Sequence, residues 1–231
     1  MPLSGVWPET AEDLERVQAQ LADLAGLAVP WRWPEDASVL VAGAFVAYQR
    51  GVYGMGAAGD QAWAAAAIYK DAARVAAVTL GGTVGAAYLP GLLALREGPI
   101  LEAAVRQLTP RPDVVLFDST GLDHPRRAGL ALHLGAVLDV PTVGVTDRSL
   151  LATGVTPGPK RGDRAPLEIE GKVVGYALRT QDNIKPVLVH AAWRTDPETG
   201  CDVVLATSRV RTPEPLREAR RLAKEFRARA E

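Results

Sequence analysis

Val114-Val115-Leu116-Phe117-Asp118-Ser119-Thr120-Gly121 is the stretch on which the fold turns: four apolar residues without a charge, then an acid and a run of small residues. A short charge-free run of this kind fits a central strand buried on both faces. Just upstream, Pro110 and Pro112 stop a helical pattern that covers Leu92 to Leu108 and itself begins after the Pro90-Gly91 break. Downstream, Arg126 to Leu138 reads as a helix and Thr142 to Val145 as a second buried strand, which makes a β-α-β crossover. Further out on the N-terminal side lie three apolar runs, Val39 to Tyr48, Ala62 to Tyr69 and Ala73 to Leu80, separated by short Gly- and Asp-rich segments. These predict an antiparallel meander. Before them, Leu14, Val17, Leu21 and Leu24 recur at helical spacing behind Thr10, a candidate N-cap. On the C-terminal side Thr153 to Arg164 reads as an exposed loop, and Leu167 to Leu178 and Val187 to Trp193 read as two strands. Leu216 to Ala230 reads as a basic amphipathic helix carrying Arg217, Arg220, Arg221, Lys224, Arg227 and Arg229. The expectation is one α/β domain over residues 1–231, with a mixed central sheet flanked by helices.

Bulk composition narrows the function classes. With 48% hydrophobic and 23% charged residues the chain has ordinary globular composition. A formal net charge of -1 means that any nucleic-acid site must be a local patch. The single cysteine, Cys201, cannot close an internal disulfide or build a cysteine zinc cluster. Together with the lack of a recognisable signal peptide, this leads to the expectation of a cytoplasmic protein. Lys70, Asp71 and Arg74 interrupt the Ala-rich region from Ala62 to Leu80, so no membrane span is expected.

Several ordered segments then acquire a common meaning. They are Leu40-Val41-Ala42-Gly43, Tyr88-Leu89-Pro90-Gly91 with Arg96-Glu97, Asp118-Ser119-Thr120-Gly121, and His124-Pro125-Arg126-Arg127 with Gly129 and His133. Pro141-Thr142-Val143-Gly144-Val145, Lys185-Pro186-Val187 and Arg211-Thr212-Pro213-Glu214-Pro215 with Arg217 complete the set. In this combination the sequence resembles the endonuclease V family over nearly its whole length. The resemblance implies a ribonuclease H-like fold and a magnesium-dependent endonuclease that cuts near deaminated purines such as deoxyinosine or inosine, in DNA repair or RNA processing. Small, hard Mg²⁺ takes oxygen ligands from a few carboxylates together with substrate phosphate, and Glu97 and Asp118 match the family's acidic positions. Tyr88-Leu89-Pro90-Gly91 corresponds to its wedge, which replaces lost stacking when a base leaves the helix. Ser119, Gly121, His124, Arg126, Arg127 and Arg148 fall at or beside substrate-binding positions. Gly121 and Gly129 fall where backbone passes close to the extruded base or where helix packs on strand.

The pattern breaks at the chemistry. The family's first-strand aspartate corresponds to Phe45, and the histidine of its Ser-Pro-Gly-His-Arg stretch to Trp193 in His190-Ala191-Ala192-Trp193-Arg194. Asp147 stands at the position usually held by a lysine, and Ser119 at that of a glycine. Two acids without a third hold Mg²⁺ poorly, and loss of a positioned acid or base costs a further ~10²–10⁴-fold in rate. Three expectations follow: a catalytically silent relative that still binds single-stranded or lesion-containing nucleic acid, using Tyr88, Arg126, Arg127 and the C-terminal helix; an active magnesium enzyme that tolerates these replacements or recruits Asp147; or a cleft converted to a small molecule or different reaction, with Phe45 and Trp193 forming an aromatic box and Glu97, Asp118 or Asp147 acting as acid, base or cation partner.

Overall fold

The structure is a computed structural model that describes residues 7–34, 38–51 and 54–231. Thr10 caps α1 (Ala11–Leu27), its hydroxyl accepting the Asp13 N–H at 3.1 Å. The meander follows as β1 (Leu40–Tyr48), β2 (Gln61–Lys70) and β3 (Ala73–Thr83), then α2 (Leu93–Arg106), β4 (Val114–Phe117), α3 (Leu130–Leu138) and β5 (Thr142–Thr146). The remainder is β6 (Thr153–Gly154), β7 (Arg164–Ile169), β8 (Lys172–Leu178), β9 (Val187–Ala191), α4 (Pro197–Thr207) and α5 (Glu214–Ala230). The strands form one sheet in the order β3-β2-β1-β4-β5-β9-β8-β7-β6. β1 runs antiparallel to β2 and parallel to β4, and β4 runs parallel to β5, which is the mixed arrangement expected from the sequence.

Strand alternation assigns the faces. Val115 and Phe117 of β4 enter a core shared with α1, α2 and α3, whereas Val114 and Leu116 enter one shared with Cys201, Val203 and Val204 of α4 and Leu216 of α5. On β1, Ala42, Ala44 and Val46 face the first core, while Val41 and Phe45 point to the face that α5 covers. Ala64, Ala65, Ala66 and Ala67 of β2 are fully buried on both faces, because small side chains let helices press close from either side. Gly43 lies on the α5 face, and a Cβ there would run into the backbone of Pro215 and Leu216. The first turn of α5 therefore rests directly on β1.

Three departures from the sequence reading have local causes. The run Leu167 to Leu178 is a hairpin of two strands, turned by Glu170 and Gly171 with φ of 53° and 73°. α3 begins at Leu130 rather than Arg126, since Arg127 has φ 53° and Gly129 is the N-cap. α4, capped by Asp196 whose carboxylate accepts the Thr199 N–H at 2.8 Å, lies in a segment for which no element was expected. Among the described residues no helix is long and apolar enough to cross a membrane.

Gly43→Ala is expected to cost about 1–3 kcal/mol through backbone overpacking. A lowered urea midpoint checks this, and an unchanged one would show that α5 does not need the contact.

Candidate functional site

Register and alternation build the site. Because Ala44 pairs with Phe117 in the parallel β1/β4 ladder, Phe45 and Asp118 emerge side by side beyond it, and alternation turns both toward α5. Above them the next turns of α5 bring Arg220, whose Nη2 donates to Asp118 Oδ2 at 2.7 Å and whose guanidinium carbon lies 5.1 Å from the Phe45 ring centroid. Arg220 thus holds the acid and stacks on the aromatic that occupies the first-strand position. Sequence reasoning counted it only as one of six cations on a basic helix, with no spacing to single it out.

Glu97 approaches from α2 on the other side. The Tyr48 hydroxyl donates to its carboxylate, and Arg96 lies 4.4 Å over the Tyr48 ring while pairing with Asp60 at 3.1 Å. Burial, reinforced by the nearby charge of Asp118, pushes the Glu97 carboxyl up to about 7 although the Tyr48 hydrogen bond favours its ionised form. Burial also raises Asp118, and Arg220 opposes that shift. Both acids line a cavity of about 650 Å³ with Phe45, Tyr88, Ser119 and His124.

The Tyr88-Leu89-Pro90-Gly91 turn is rigid. Gly91, at φ 80°, presents its carbonyl to three donors: Gln18 Nε2 at 3.0 Å, His124 Nε2 at 3.0 Å and Arg126 Nη2 at 3.2 Å. This leaves Tyr88 and Leu89 each 42% exposed at the lip, so Tyr88 is not a core aromatic, and Pro90 is exposed beside them. His124 is a buried strut whose Nδ1 accepts the Arg126 N–H. Arg148 and Thr146 also line the cavity, and Thr146 Oγ1 meets His190 Nε2 at 2.8 Å. Asp123, fully buried, accepts the N–H groups of Leu150, Leu151 and Ala152 at 2.8 Å each and so fixes the loop that carries Arg148.

Other expected site residues lie elsewhere. β9 is antiparallel to β5 and pairs Ala191 with Val143, so Trp193 falls beside Thr142 at the start of β5, the opposite end of the sheet from Asp118. There its Cβ abuts Gly135, and no aromatic box with Phe45 exists. Asp147 pairs with Arg211 at 2.6 Å and does not line the cavity, although its charge reaches Asp118. Arg126 is engaged with Gln18 and with Glu15 at 3.3 Å, and Arg127 with Glu170 at 3.0 Å. At Gly121 and Gly129 a Cβ would strike the carbonyls of Ala191 and Thr120, which makes both of them packing glycines.

Among the described residues no three His, Cys, Asp or Glu side chains converge as a metal site. Asp118 is taken by Arg220, Glu97 by Tyr48, and the third position is a ring that cannot ligate the ion. The residues present do not fit magnesium.

The sheet order and its flanking helices define a ribonuclease H-like domain. The sequence model of the Endonuclease V family matches residues 32–221, and the chain belongs to that family. An endonuclease V of Nocardia farcinica is 46% identical over 144 residues, but that match spans only 62% of this chain and 63% of the relative, less than two thirds of its length. One of Streptomyces avermitilis is 39% identical over 219 residues, covering 92% of this chain and 90% of the relative. A crystal structure from that species superposes with a TM-score of 0.85 at 36% identity over 99% and 97% of the two chains. The fold is also that of Ciona intestinalis endonuclease V, solved with a 24mer DNA containing an inosine followed by a ribo-adenosine. There the TM-score is 0.78 at 20% identity, covering 96% and 100% of the chains. The family is metal-dependent, and its relatives are nucleases.

All three histidines of the chain, His124, His133 and His190, are buried, and desolvation pulls each from 6.5 to about 4. Between those values the unfolded chain binds more protons than the native one, so stability falls on acidification, by up to roughly 3 kcal/mol per residue. Urea unfolding is expected to show a lower midpoint at pH 4 than at pH 6.5. Equal midpoints would mean that the imidazoles titrate freely.

Proposed function

We propose that this protein is a nucleic-acid-binding endonuclease V relative that engages a strand at a deaminated purine, with metal-dependent cleavage there lost or strongly reduced. The observation that carries the reading is the Arg220–Asp118 pair stacked on Phe45. A magnesium-dependent hydrolase needs carboxylate oxygens free for the cation, and this pair consumes the one at the end of the central strand. Binding draws support from other residues. Tyr88 stands exposed on a turn held by three hydrogen bonds, next to a cavity with room for an extruded base, and the Ciona relative was solved with inosine-containing DNA. The pairing of Asp147 with Arg211 weighs against an enzyme rebuilt around that acid. Trp193 does not line the cavity, which weighs against the aromatic box of a small-molecule reading.

A gel-shift and a nicking assay on one inosine-containing strand test this. Salt-sensitive retention without product is expected in either Mg²⁺ or Mn²⁺, and Tyr88→Ala should weaken retention by about 1–3 kcal/mol. Magnesium-dependent nicking abolished by Asp118→Ala would refute the reading.

A further inference from the structure

Arg220, Lys224 and Arg227 recur at steps of four and three residues and so share one face of α5. Lys224 and Arg227 line the cavity from that side, and Arg148 lines it from the loop after β5. Among the described residues neither Lys224 nor Arg148 has an ion-pair or side-chain hydrogen-bond partner, while Arg220 spends a single N–H on Asp118 and keeps the rest of its fork. Of the opposing acids, Asp118 is charge-paired with Arg220, and Glu97 is buried against Tyr48 with its carboxyl raised to about 7. Ser119, 5% exposed, lines the same cavity, and among the described residues its buried hydroxyl has no hydrogen-bond partner. A cavity with the unpaired cations Lys224 and Arg148 at its rim, one acid already charge-paired and the other raised toward its neutral form, is complementary to an anion.

From this arrangement we infer that the cleft binds a phosphodiester group of the strand directly, with Arg220, Lys224 and Arg148 supplying the positive charge that a divalent metal would otherwise bring. The inference rests on the nucleic-acid reading above and adds that binding is independent of metal. Arginine suits the task because its planar fork addresses two phosphate oxygens at once, and lysine adds a point charge beside it. Asp118 then acts as a competitor for Arg220, holding the guanidinium in place until a phosphate takes over its N–H groups.

Fluorescence anisotropy of a short single-stranded, inosine-containing oligonucleotide with the full chain tests the inference. Affinity in excess EDTA is expected to equal that in Mg²⁺ within about twofold, with Lys224→Ala and Arg148→Ala each lowering the single-strand salt slope by roughly 0.7. Arg220→Lys should retain most of the binding, Arg220→Ala should weaken it by roughly tenfold, and Asp118→Asn should tighten it in EDTA by freeing Arg220. Binding that requires Mg²⁺ or Mn²⁺ and is lost in Asp118→Asn overturns the inference while leaving the nucleic-acid reading intact. Absence of binding in both buffers overturns the two together. Inosine monophosphate that competes as well as the oligonucleotide would identify a free nucleotide as the occupant and overturn the assignment to a strand.

Discussion

The close approach of α5 to β1 at Gly43 is the contact on which the site depends. With no side chain at that position, the backbone of Pro215 and Leu216 settles onto the strand, and the helix is then committed to run along β1 and β2 and past the end of β4. Every later residue on its inner face inherits a place from that docking: Ala219 and Ala223 are buried against the sheet, and Arg220 meets Asp118. The pairing of guanidinium and carboxylate is thus a consequence of how two motifs far apart in sequence, Leu40-Val41-Ala42-Gly43 and Pro213-Glu214-Pro215, fit each other.

Much of the architecture was legible because its signals are local. A charge-free run set between two prolines and an acid marked β4 and put that acid at a strand terminus. Phe45 and Asp118 could be singled out by resemblance, and parallel register does bring them together. Trp193 shows where such reasoning stops. Motif order tells which strand a residue follows but not which end of the sheet that strand's terminus reaches, and the antiparallel pairing of β9 with β5 sends Trp193 to the far end. Arg220 was hidden for a different reason: on a helix with six basic residues, only the partner across the gap distinguishes the one that matters. The β7–β8 hairpin was concealed by continuous apolar patterning, with Glu170-Gly171 as the one cue that could have revealed it.

Much of the scaffold around the cavity is held by contacts that carry no charge. Packing glycines at positions 121, 129 and 144 lie against backbone carbonyls, so the constraint on them is steric and indifferent to catalysis. The histidines at 124 and 190 serve as uncharged struts among hydrogen bonds and buried neighbours. None of these requirements involves a cation, so the scaffold is set by sterics and neutral hydrogen bonds alone.

The amide of Gln18 carries a consequence that reaches beyond the cleft. It lies on α1, a helix wholly outside the span matched by the family, yet it is buried, donates to the carbonyl of Gly91 and accepts from Arg126. The aromatic lip is therefore anchored partly by a segment that a motif-based boundary would discard. A fragment trimmed to residues 32–221 would keep every cavity-facing acid but lose this tether, together with the last turns of the helix that bears Lys224 and Arg227. For this molecule the functional unit is larger than its recognisable signature.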